Sequence, residues 1–126
     1  MALLLDTQAF LWWVTDDPRL SKRAARAIAA SDCLLSVASC WEMAIKVSLG
    51  KLTLPGPVER FVQEQVEVNG FRLLSLSLEH VGGVAVQPFH HRDPFDRLLA
   101  AQAHAEELSI VSVDPIFPKY GVKRVW

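Results

Sequence analysis

The sequence predicts an α/β domain, with a mostly parallel sheet of about five strands flanked by helices. Three observations predict it. Residues 2–5 and 33–37 are short, wholly or largely apolar runs of strand length, the pattern of strands buried on both faces. Such runs alternate with longer stretches of helical character, which implies parallel pairing with helices on both faces. The 126 residues, 51% hydrophobic and 21% charged, suffice to bury one core without covalent staples, so residues 1–126 read as a single domain.

The elements follow in order. Residues 2–5 form the first strand and end at Asp6. Residues 7–14 read as a helix, with Phe10, Leu11 and Val14 on one face, and Asp16-Asp17-Pro18 breaks it. Ser21 caps a second helix to about residue 30. Residues 33–37 form the second strand, residues 39–48 a helix, and Gly50 stops that helix. Leu54-Pro55-Gly56-Pro57 is a turn opening a helix over 58–68, closed by Asn69-Gly70. Residues 71–76 read as a third strand, and Ser77 caps a short helix over 79–86. Residues 88–92 form a loop carrying His90 and His91. Asp93-Pro94 starts a long helix to about residue 107. Residues 109–113 form a fourth strand ending at Asp114, and residues 122–125 a fifth at an edge. There are no repeats, low-complexity stretches or linkers.

Composition narrows the function. The net charge of −1 provides no global basic field, so a nucleic-acid ligand must be drawn by local patches or metal ions. Cys33 and Cys40 form no CxxC pair or zinc-type cluster and are expected to be reduced and packed. No signal peptide is visible, and no apolar run approaches the ~18 residues of a membrane span, so the expected location is cytoplasmic. The high apolar fraction in so short a chain points to a partner covering part of the surface, with a homodimer expected.

The positions of the acids carry more information than their number. Asp6 and Asp114 end the first and fourth strands, and open α/β sheets bind ligands beyond the carboxyl ends of their strands, at a topological switch point. Asp96 lies in the first turn of its helix, and Glu42 in the first turn or so of another. The amino ends of helices that follow parallel strands face that same edge, so four carboxylates from distant segments can converge. Alone, such a cluster is unfavourable, because like charges and desolvation both oppose ionisation. A hard cation such as Mg²⁺ or Mn²⁺ resolves the conflict, and two such ions can activate water and stabilise a phosphodiester leaving oxygen.

Each acid also has a plainer reading. Asp6 could simply cap the first helix. Glu42 and Lys46 are spaced i, i+4 and could form an exposed pair. Asp96 could offset the helix dipole, Asp93 could cap the helix before Pro94, and Asp114 before Pro115 could be a turn residue. All four site acids failing to converge is less consistent with where the strands end.

Four blocks resemble the motif set of PIN domains, and most closely the VapC-type toxins of bacterial toxin–antitoxin pairs. They are Leu3-Leu4-Leu5-Asp6-Thr7, Ser39-Cys40-Trp41-Glu42-Met43-Ala44-Ile45-Lys46, Asp93-Pro94-Phe95-Asp96-Arg97-Leu98-Leu99-Ala100-Ala101-Gln102-Ala103, and Val111-Ser112-Val113-Asp114. The first block alone is weak; the third is specific, and the ordered set, spanning essentially the whole chain, more so. The resemblance implies a three-layer PIN-like fold and a Mg²⁺- or Mn²⁺-dependent ribonuclease with a cognate antitoxin. It also implies that Asp6, Glu42, Asp96 and Asp114 are the catalytic, metal-holding acids. Thr7 and Ser112 match hydroxyl positions that support the metal site, with Ser112 standing where Thr is commoner. Asp93 is an extra acid, ranked below Asp96 because capping accounts for it.

Other residues have two readings each. His90 and His91 could contact phosphate or belong to a polar loop. Arg97 cannot share the direction of Asp96, since successive helical residues point about 100° apart; a role at the rim of the pocket follows. Lys46 could reach the pocket or form a surface pair. Arg19, Lys22, Arg23 and Arg26 form a basic run that is either a solvated face or a guide for RNA. Trp12 and Trp13 are adjacent and cannot both face one core, so one is expected at a partner groove. The resemblance places the antitoxin over the early helices. Trp126 is expected to pack on the last strand.

Three other functions compete with this reading. A haloacid-dehalogenase-like phosphatase also opens with an apolar strand and an Asp, but needs a second Asp two positions on, where Gln8 stands. A receiver domain has no place for the DPFDR block. A non-catalytic PIN-type module that only binds RNA or protein is disfavoured by the intact set of four acids.

Overall fold

The computed structural model describes residues 2–90 and 92–126. The elements run β1 (Ala2–Leu5), α1 (Thr7–Val14), α2 (Lys22–Ala30), β2 (Asp32–Ser36), α3 (Val37–Ser48), α4 (Val58–Asn69), β3 (Arg72–Leu74), α5 (Leu78–Val86), α6 (Pro94–Ala105), β4 (Ser109–Val111), a 3₁₀ turn (Phe117–Tyr120) and β5 (Arg124–Val125). The sheet order is β3-β2-β1-β4-β5, and all four pairings are parallel. The α/β reading holds, and the mostly parallel sheet is wholly parallel.

β1 occupies the centre, and Leu3, Leu4 and Leu5 are fully buried. Side chains alternate across a strand, so these leucines serve two cores. Leu3 and Leu5 join Phe10, Ile28, Leu35, Met43, Phe61 and Val111 on one face. Leu4 joins Leu34, Leu99, Ile110, Phe117 and Val122 on the other. Each such leucine contributes roughly 2 kcal/mol by burial. This two-sided burial accounts for the unbroken apolar run in the sequence.

From β1 the chain first builds β2 and β3 to one side, then crosses back to build β4 and β5 on the other. The switch point therefore lies between β1 and β4. There the Asp6 N–H donates to the Val111 carbonyl at 3.1 Å, continuing the ladder to the start of α1.

Several boundaries differ from the sequence reading. β2 ends at Ser36, not 37, because the Ser36 hydroxyl accepts from Ala38 N and starts α3 two residues early. Glu42 consequently sits in the second turn of α3. β4 stops at Val111 because the Arg124 guanidinium takes the next two carbonyls, Ser112 O at 2.9 Å and Val113 O at 2.8 Å. Asp114 thus follows the strand by a short loop. β3 is confined to Arg72–Leu74. The 3₁₀ turn at Phe117–Tyr120 was not foreseen; Gly121, at φ 76°, closes it in the left-handed region.

Candidate active site

Three acids that cap helices or a turn define the site edge. Asp6 is the N-cap of α1, with Oδ1 accepting from Ala9 N at 2.7 Å. Asp93 caps α6, with Oδ1 accepting from Phe95 N at 2.9 Å and Asp96 N at 3.3 Å. Asp114 Oδ1 accepts from Ile116 N at 3.0 Å, and the Asp114 N–H donates to Ser112 Oγ at 3.0 Å. The plainer capping readings of Asp6, Asp93 and Asp114 are therefore real, and they coexist with convergence.

Asp6, Glu42, Asp93, Asp96 and Asp114 line one cavity of about 180 Å³, together with Thr7, Gln8, Lys46 and Val113. A larger cavity of about 310 Å³ between α5 and α6 is walled largely by Val86, Ala100, Ala101 and Ala105, so donor chemistry rather than volume singles out the acid pocket. Glu42 is held from two sides. Thr7 Oγ1 donates to its Oε1 at 2.6 Å, and Lys46 Nζ stands 3.0 Å from its Oε2. Both readings of Lys46 are realised, because it pairs with Glu42 and also lines the pocket.

Burial dominates the electrostatics of Asp6, and the neighbouring acids add to it. Burial pushes the Asp6 carboxyl up to about 6. Hydrogen bonding from Ser112 and from Ala9 N–H opposes the rise, while the charges of Glu42 and Asp114 add to it. Ser112 is fully buried and stands between the first and fourth acids.

Among the described residues, no group of three or more His, Cys, Asp or Glu side chains is already drawn into a metal-holding arrangement. The acids take local partners, the N–H groups of Ala9, Phe95 and Ile116, the Thr7 hydroxyl and the Lys46 ammonium. The donor set nevertheless suits a hard cation, with carboxylate oxygens from four segments around one small cavity and one acid whose ionisation burial opposes.

Other expectations fall elsewhere. Arg97 turns toward α5: its Nη2 donates to Val84 O at 3.3 Å and its guanidinium lies 4.8 Å from the Phe89 ring centre. This packing corrects the rim role. His90 packs edge-on against Tyr120 at 5.3 Å, and His91 lies outside the described residues. Trp12 packs on Trp126 at 5.8 Å and under Arg19 at 5.0 Å, while Trp13 Nε1 donates to Asn69 at 3.0 Å. Both are half-buried, and the more open tryptophan is Trp41, 61% exposed. Lys22, Arg23 and Arg26 are exposed, whereas Arg19 pairs with Asp17. Cys33 and Cys40 are free, and burial raises both thiols to about 11, which makes them inert.

A buried relay was missed. Ser36 Oγ donates to Gln102 Oε1 at 2.5 Å, and Gln102 Nε2 lies 3.3 Å from His80 Nδ1. It ties the start of α3, which carries Glu42, to α6, which carries Asp96. Gln102 stands in the middle of an apolar helix face, and that misfit was the available signal.

The sequence model of the PIN domain family matches residues 3–123. The chain belongs to that family. Solved structures agree on the PIN fold. A chain of VapBC2 from Rickettsia felis, solved bound to a DNA fragment from its promoter, superposes with a TM-score of 0.66 at 16% identity, covering 100% of both chains. FitAcB from Neisseria gonorrhoeae gives 0.66 at 20% identity over 97% of this chain and 95% of that one. A toxin–antitoxin complex from Klebsiella pneumoniae gives 0.59 at 14% identity over 89% and 86%. No curated protein sequence matches the chain. Among the described residues, no helix of this PIN domain is long and apolar enough to cross a membrane.

Proposed function

We propose that this PIN domain is a Mg²⁺- or Mn²⁺-dependent endoribonuclease acting as the toxin of a toxin–antitoxin pair. The observation that carries the reading is the gathering of Asp6, Glu42, Asp96 and Asp114 around one cavity at the switch point of the sheet. Those four would hold the cation. The chemistry a hard divalent ion supplies at such a site is acidification of water near neutral pH and neutralisation of charge developing on phosphodiester oxygens.

The chain's own residues prepare that site. Thr7 and Lys46 fix the two oxygens of Glu42. Ser112 holds the loop of Asp114 and hydrogen-bonds Asp6. Asp93 fixes the first turn of α6 and so the direction of Asp96. Lys46 brings positive charge to the wall of the cavity, where a phosphate would enter.

The toxin role rests on likeness to the Klebsiella pneumoniae toxin–antitoxin complex and to VapBC2, together with the VapC-type motif blocks. The partner would be an antitoxin that blocks the acid pocket, most simply with an arginine among the carboxylates. Homodimer formation fits the apolar residues exposed around α5, such as Leu78 and Val86. The test is cleavage of a panel of single-stranded and structured RNAs with Mn²⁺, Mg²⁺ or a chelator. Metal-dependent cleavage supports the reading, and a panel left uncut with either ion opposes it. Arrest of growth on expression, relieved by a co-expressed partner, supports the toxin role.

A further inference from the structure

Trp41 is 61% exposed. It immediately precedes Glu42 on α3, and it packs edge-on against Phe95, with ring centres 5.3 Å apart and planes at 71°. Phe95 in turn immediately precedes Asp96 on α6. The two helices that bring Glu42 and Asp96 to the cavity thus meet through an aromatic pair, each ring one residue before an acid. Successive helical residues point about 100° apart, and neither ring lines the acid pocket itself. From Trp41 an apolar groove of about 380 Å³ continues between α3 and α4, walled by Val37, Cys40, Val58, Val62 and Leu73.

The charge distribution makes the placement informative. The net charge is −1 and, among the described residues, the cavity is lined by five acids and Lys46. Phosphate attraction alone is a poor source of affinity for such a surface. Stacking of bases on aromatic rings needs no positive field and tolerates any sequence. An indole braced by a second ring has little freedom left to lose on binding.

We infer that Trp41, braced by Phe95, is the stacking platform for a nucleobase next to the phosphate that enters the acid pocket. This rests on the ribonuclease reading. It makes Trp41 a binding residue, and it assigns the open indole to nucleic acid rather than to a protein partner.

The experiment uses the full chain carrying Asp96→Asn, so that RNA stays intact, with a labelled single-stranded RNA of mixed sequence and Mg²⁺. RNA is expected to quench tryptophan emission. Trp41→Phe should keep affinity within about threefold, whereas Trp41→Leu should lose about tenfold and most of the quenching. In the otherwise unchanged protein, Trp41→Leu should raise KM about tenfold and move kcat by less than about threefold. Undiminished RNA affinity and quenching in Trp41→Leu overturns the proposal. Undiminished affinity with loss of self-association in light scattering also overturns it, and gives the surface to a protein interface. A parent that cuts no RNA but whose emission RNA quenches through Trp41 defeats the nuclease reading and keeps the platform. A parent that neither cuts nor binds RNA defeats both.

Discussion

Thr7 Oγ1 donates a hydrogen bond to Glu42 Oε1 at 2.6 Å, across 35 residues of sequence. The bond joins the first turn of α1 to the second turn of α3 and fixes one oxygen of an acid that faces the cavity. Thr7→Val keeps the shape and removes the hydroxyl. We expect kcat/KM for RNA to fall about tenfold, the range for groups that orient metal ligands, and Thr7→Ser to restore most of it. Full activity of a folded Thr7→Val protein would show that Glu42 needs no such support.

The elevated Asp6 carboxyl gives a pH signature. Its value is about 6 in the folded chain against 3.8 for the free group. An acid raised on folding favours the protonated native state. Its ionisation therefore destabilises the metal-free fold as pH rises from about 4 to above 6, by about 3 kcal/mol once complete. Asp6→Asn removes this dependence because an amide does not ionise, and its side-chain oxygen can still accept from Ala9 N to keep the cap. Chelator-treated Asp6→Asn protein should be more stable than the parent at pH 8 and similar at pH 4, as measured by urea denaturation. Parallel curves at the two pH values would contradict the burial argument.

Cation binding should offset the cost of ionising the buried Asp6 carboxyl, to which Glu42 and Asp114 add. Binding to the native state alone stabilises by about 2.7 kcal/mol at a hundredfold excess over Kd. Millimolar Mg²⁺ or Mn²⁺ should therefore raise Tm at pH 8. The rise should shrink at pH 5, where Asp6 is mostly protonated, and in Asp6→Asn. An unchanged Tm with no heat of binding in calorimetry would argue that the acids hold no cation.

Gln102 ties α3 to α6 from beneath the site. Gln102→Leu leaves the Ser36 hydroxyl without its acceptor in the interior, a loss of about 1–3 kcal/mol. Because Glu42 and Asp96 ride on the two helices so joined, RNA cleavage should fall as well, even at temperatures where the variant is fully folded. Denaturant unfolding followed by single-turnover kinetics separates the two effects.

Much of this was legible in the sequence because it is written locally. The run of leucines before Asp6 marks a strand buried on both faces, and α1 matches its expected bounds because Asp6 and Thr15 punctuate it. Asp6 and Asp96 could be placed because the end of a strand and the first turn of a helix fix their edge of the sheet, whereas Glu42 lies in the second turn of α3 and Asp114 beyond the end of β4. What escaped depends on contacts distant in sequence. Arg124 reaches back to Ser112 and Val113 and shortens β4. Val84 and Phe89 draw Arg97 away from the pocket. The partners of Trp12 and Trp13, at Trp126 and Asn69, left Trp41 as the open indole. Asp93 shows that capping and proximity to the site are not alternatives, since it does both.

Asp96→Asn tests the central claim most directly. The substitution is nearly isosteric, keeps the first turn of α6 under its Asp93 cap, and removes one negative charge from the cavity. With the parent cutting an RNA in Mn²⁺, single-turnover cleavage by the folded variant should be at least a hundredfold slower, about 2.7 kcal/mol of lost transition-state stabilisation. Cleavage by folded Asp96→Asn protein at the parent's rate would contradict the metal-nuclease account.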